Sequence, residues 1–144
     1  MRRVIVPIAF LALSLAAFPG RADDQDVIDY RQHIMKTLGE QMGAIGMIMQ
    51  NKAPADNFAL HLKVLAITAT QAKSAFEPKV AGGDAKPGVW TDWQDFSRRL
   101  DELVTATAEL AASAQHDSVA QVGAKMQSTL KCKGCHDTYR VPKK

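Results

Sequence analysis

Apolar residues recur at alternating intervals of three and four in four separate stretches of the chain, with breaks marked by proline and glycine between them. That spacing is the stripe of a helix that buries one face. The first stretch covers about residues 24–51, opens with acidic residues and is followed by Pro54. It aligns Met35, Leu38, Met42, Ile45 and Met49 along one side. Gly39, Gly43 and Gly46 cost it helix propensity, about 1 kcal/mol each against alanine, and leave room for a neighbouring helix or a flat ligand to come close. The second opens near Asp56, carries Phe58, Leu62, Leu65, Ala69, Ala72 and Phe76, and stops before Pro78. Residues 78–88 are loop by composition. In the third, Thr91-Asp92-Trp93-Gln94 fits a capping box, followed by Phe96, Leu100, Leu103, Thr107 and Leu110 at helical spacing. The fourth opens at Asp117 or Ser118, carries Val119, Val122, Met126 and Leu130, and ends before Pro142. No window sustains the two-residue alternation of a strand. The expected fold is all-α, an antiparallel four-helix bundle.

Composition sets the compartment and removes one class of partner. The chain has 144 residues, 18 Lys+Arg against 15 Asp+Glu, and a pI near 9.0. Its start, however, is a basic Met1-Arg2-Arg3, an apolar run from Val4 to Phe18, and Gly20-Arg21-Ala22, which puts small residues at −3 and −1 of a cut before Asp23. Residues 1–22 therefore read as a secretory signal peptide, and 23–144 as one domain. Removing the leader takes away Arg2, Arg3 and Arg21 and no acidic residue, which leaves the mature chain formally neutral. A nucleic-acid partner then has no electrostatic basis, and no membrane span is expected after export.

One motif carries specific chemistry. Cys132-Lys133-Gly134-Cys135-His136 is a Cys-x-x-Cys-His sequence, the attachment site of a c-type haem. On a helix, residues i and i+3 share a face, so both sulfurs reach the two vinyl groups of one porphyrin as thioethers. His136 shares that face and offers its imidazole to the iron. A disulfide or thiol redox pair is the competing reading of Cys-x-x-Cys, but a thioredoxin-like pair belongs in a βαβ setting that is absent here. Zinc would need further ligands, and His33, His61 and His116 are scattered singly along the chain; surface positions are expected for them.

The leader, the four helices and a Cys-x-x-Cys-His near the carboxyl end together resemble the class II cytochromes c, the cytochrome c-prime family. The resemblance spans the mature chain. It is most specific at Tyr30-Arg31-Gln32, at Gly82-Gly83-Asp84-Ala85-Lys86-Pro87 before Trp90, and from Cys132 to Arg140. It implies one covalently attached haem c, a periplasmic location and, in many members, a homodimer through the first two helices. Ala44, Met47, Ile48 and the glycines of the first helix offer a second apolar face for such a contact. The resemblance places Arg31 and Gln32 beside the haem, Arg31 pairing with a propionate. It places Asp84 near the haem edge and Arg140 as the basic residue close to the proximal imidazole.

The residue matching the distal face is Met35. By spacing alone a methionine in an apolar stripe is ordinary core filling. The resemblance instead implies the low-spin members, in which a methionine sulfur at this position binds iron; Met42, one heptad on, is the fallback. The leading expectation is an electron carrier rather than an enzyme, its iron held by His136 and Met35 and its partners the redox proteins of the periplasm. The alternative is a five-coordinate, high-spin cytochrome c-prime that binds gases such as nitric oxide or carbon monoxide.

Overall fold

The computed structural model describes residues 22–142. The signal-peptide expectation therefore falls outside the described residues apart from Ala22. Helix α1 spans Asp24–Met49 and opens with a reciprocal capping box between Asp23 and Asp26. After a single 3-10 turn at Ala55–Asn57, α2 runs Phe58–Phe76. A loop leads to a one-turn helix, α3 (Gly88–Thr91), which leads directly into α4 (Trp93–Ser113). The last arm is two helices, α5 (Val119–Thr129) and α6 (Cys132–Tyr139). Packing runs α1 on α2, α2 on α4, α4 on α5 and α6, and α5 back on α1, which closes an antiparallel four-helix bundle. Among the described residues no helix is long and apolar enough to cross a membrane.

Two local expectations are corrected. The capping box assigned to Thr91 and Gln94 does not form: Thr91 ends α3, and Asp92 precedes α4 without a side-chain cap. Val89, 1% exposed, draws that extra turn into the core. The fourth stretch is not one helix. Leu130 is extended (φ −79°, ψ 117°), and a second helix starts at Cys132. The capping box of this arm is at Ser118 and Gln121, which opens α5.

The bundle holds two apolar clusters, one behind the other. The first joins Leu38, Ile45 and Ile48 of α1 to Leu62 and Leu65 of α2, with Leu110, Val122 and Met126 opposite. The second is aromatic and lies toward α6: Phe76, Phe96 and Tyr139 with Ile34, Val89 and Leu100. Met35 is half-buried and packs against both clusters. Gly39 and Gly43 do not receive a neighbouring helix within the chain: a Cβ built on either meets nothing within 4 Å.

Candidate functional site

Helix α6 has eight residues, no side-chain cap at Lys131 and a last turn that ends at Tyr139. So short a helix has little stability of its own; its neighbours hold it. The Lys86 N–H donates to the Tyr139 carbonyl at 2.9 Å, the Lys86 ammonium to the Asp137 carbonyl at 2.9 Å, and the Val141 N–H to the Asp84 carbonyl at 2.8 Å. Ala85 bridges Arg140 in antiparallel fashion. The loop can turn sharply enough to do this because Gly82 and Gly83 adopt positive φ (129° and 57°). A side chain at Gly83 would also collide with Ile28 and with the Gln32 amide, 2.6 Å from its Cβ.

The same loop is gripped from the other side by Arg31, which is 1% exposed. Its guanidinium donates to the Val80 carbonyl at 2.6 Å and the Gly82 carbonyl at 2.7 Å. It also lies 5.6 Å from the centre of the Phe76 ring and 5.0 Å from that of Trp90. Trp90 is fixed in turn by its indole N–H, which donates to the Phe76 carbonyl at 2.9 Å. Burial pulls the Arg31 pKa down, and among the described residues no carboxylate pairs with it.

Against this frame the motif residues are presented together. Cys132 is exposed, Cys135 and His136 are half-buried, and the two cysteines are separate thiols. Cys135 packs on the aromatic cluster, and burial pushes its thiol pKa up. The pair thus consists of two thiols one turn apart beside an imidazole, the donor set that thioether attachment of a porphyrin requires. Zinc finds no such set, since among the described residues no three His, Cys, Asp or Glu side chains converge. Gln32 lies over Gly83. Asp84 is exposed and its carbonyl ties down Val141. Arg140 sits just past the helix end, where its N–H donates to the His136 carbonyl at 2.9 Å. Of the remaining histidines, His33 and His116 are exposed, and His61 is hydrogen-bonded to Gln41 at 2.8 Å.

Sequence reasoning passes over a group on α4. The Tyr139 hydroxyl, in a residue 5% exposed, donates to Asp95 Oδ2 at 2.6 Å. Arg99 Nε donates to the same oxygen at 2.6 Å, and Arg98 pairs with the other. These bonds, Tyr139's foremost, hold the Asp95 carboxyl well below the usual carboxylate range. Burial, then the bond to Asp95, pushes the Tyr139 phenol up to about 12. A carboxyl with a lowered folded-state pKa stabilises the fold above its unfolded value, about pH 4, and stops doing so as pH falls through the folded value. Asp95→Asn is therefore expected to lower the urea midpoint at about pH 7, with the gap to wild type narrowing at about pH 3. Parallel urea titrations at the two pH values check this; a gap of equal size at both contradicts it.

The profile of the family described as Cytochrome C' matches residues 26–140. The chain belongs to the cytochrome c′ family. A cytochrome c′ of Rubrivivax gelatinosus is 33% identical over 122 residues, covering 80% of this chain and 94% of the relative. A ferrous variant of cytochrome c prime from Alcaligenes xylosoxidans, solved with bound NO, superposes with a TM-score of 0.77 at 26% identity, covering 86% of this chain and 100% of that one. A second variant of that protein, solved with carbon monoxide bound, superposes at 0.76 with 27% identity, covering 84% and 98%. The cofactor is accordingly one haem c attached through Cys132 and Cys135.

These relatives overturn the expectation of an electron carrier with iron held by His136 and Met35. They are cytochromes c′, and two of the solved structures hold a gas, which a haem closed on both faces by protein ligands does not readily admit. The methionine-ligated subtype has no support among them. Met35 has a sufficient structural role at the junction of the two clusters, and Met42 likewise packs on the first.

Proposed function

We propose that this chain is a high-spin cytochrome c′ whose iron would take His136 as its one protein ligand and bind nitric oxide or carbon monoxide at an open position. The observation that carries this reading is the likeness over most of the chain to proteins solved with those gases bound. Bound haem supplies an iron with one open coordination position; the chain supplies everything around it. Ile34 is buried in the aromatic cluster and Met35 packs against both clusters, so this stretch of α1 offers a polar ligand nothing to hold. Arg31 is the residue to meet a propionate, because a buried guanidinium with only carbonyl acceptors is short of negative charge. Gln32 follows it on α1 and lies over Gly83, Asp84 belongs to the loop that Arg31 grips, and Arg140 adds positive charge beyond the proximal histidine. In this reading the protein binds rather than turns over, works in the periplasm, and is not an enzyme.

Met35→Leu tests the point directly. A leucine keeps the apolar volume and cannot ligate iron, so the ferric and ferrous optical spectra are expected to stay high-spin and unchanged. A change of spin state on that substitution would restore the thioether ligand.

The homodimer belongs to the same proposal. Met47 on α1 and Leu60 and Ile67 on α2 are 50%, 59% and 54% exposed, apolar surface on the two helices that would face a second copy. Sedimentation of the holoprotein at micromolar concentration reads it out, with a monomer the contrary result.

A further inference from the structure

A hydroxyl adds a directional bond to the ring and packing contacts between α4 and α6. Tyr139 lies three residues after His136 and four after Cys135, so it shares the side of the helix that carries them. The loop bonds to α6 and its flank are made through backbone carbonyls and N–H groups at its carboxyl end. They fix where that end lies, and the side chains packed against α4 add to the orientation of the helix about its axis. Among those, the Tyr139 ring stands edge-on to Phe96, with centroids 5.1 Å apart, a contact that tolerates rotation. Its hydroxyl is directional: 2.6 Å from Asp95 Oδ2 and 3.4 Å from Asp92 Oδ2. Asp95 cannot swing to follow, because Arg98 and Arg99 hold both of its oxygens one turn along α4. Arg99 also lies over the Tyr139 ring, 5.7 Å from its centre.

We propose that Asp95 and Tyr139 are positioning residues for the haem-bearing helix, their hydrogen bond setting the rotation of α6 and so the orientation of the His136 imidazole. The thioethers of Cys132 and Cys135 fix the porphyrin to the helix; the Asp95–Tyr139 bond joins the loop contacts in fixing the helix to the bundle. Neither residue touches the iron. Where the histidine is the one protein ligand, its orientation is the protein's main control over the metal. The inference deepens the proposed function, but its geometric part rests only on His136 as an iron ligand.

The test is the electron paramagnetic resonance spectrum of the ferric holoprotein, whose g values report axial-ligand orientation in either spin state. Tyr139→Phe keeps the ring and removes the hydroxyl; it is expected to shift the g values and broaden the lines, as more than one imidazole orientation becomes populated. Asp95→Asn keeps an oxygen to accept from Tyr139 but loses the one that pairs with Arg98, and is expected to shift the g values less than Tyr139→Phe does. Asp95→Ala, which removes the acceptor, serves if Tyr139→Phe yields no holoprotein, and is expected to behave like it. A Tyr139→Phe or Asp95→Ala spectrum identical to wild type overturns the proposal. Failure of the gas-binding reading is separate: it is seen in the wild-type spectrum itself, as a low-spin signal.

Discussion

Arg31→Met is expected to destabilise the protein by about 3 kcal/mol, with the damage concentrated in the loop between α2 and α3. The side chain makes two short bonds to the carbonyls of Val80 and Gly82, and hydrogen bonds to a charged group contribute roughly 1.5–3 kcal/mol each. Contacts with Phe76 and Trp90 add about 0.5–2 kcal/mol. The cost of burying a guanidinium offsets part of this sum, and methionine, of similar length, recovers the packing but neither bond. The consequence travels, because the freed loop is the one that ties down Tyr139, Asp137 and Val141. Hydrogen exchange should therefore accelerate at the Lys86 and Val141 amides as well as the urea midpoint falling. Arg31→Lys keeps the charge without the planar fork and is expected to lie between the two. A stability within about 0.5 kcal/mol of wild type would mean that the loop holds itself.

The second large effect is chemical. With Cys132 and Cys135 both replaced by alanine, covalent haem should be lost completely from protein matured alongside the c-type assembly machinery. No other cysteine exists in the chain to take their place. Extraction with acidified acetone should strip the variant of haem and leave the wild type coloured. The bundle itself should survive: Cys132 is exposed and Cys135 only fringes the aromatic cluster. Haem that stays with the denatured variant would contradict the attachment.

How much of this was legible in the sequence depended on range. The stripe through Leu38 and Ile45, and that through Leu62 and Ala69, announced themselves by period, and all four residues are buried. The Cys-x-x-Cys-His motif is legible because its chemistry is contained in five consecutive residues. The break at Leu130 was not, since neither proline nor glycine stands there; the split follows from docking Tyr139 against α4 and the loop, a tertiary demand. The bond from Tyr139 to Asp95 joins residues 44 apart, beyond anything periodicity encodes. Thr91 misled because a capping box needs only local sequence, while Val89 pulled an extra helical turn into the core. Met35 misled for a different reason. A methionine suits an iron and an apolar seam equally well, and only its relatives discriminate between the two.

The central claim is an iron open on one face, and the optical spectrum of the purified holoprotein, ferric and ferrous, before and after carbon monoxide and nitric oxide, tests it most directly. The account predicts high-spin bands in both oxidation states and new bands on addition of either gas, in wild type and in Met35→Leu alike. Low-spin bands in both states that neither gas displaces would contradict it, and would return Met35 to the iron.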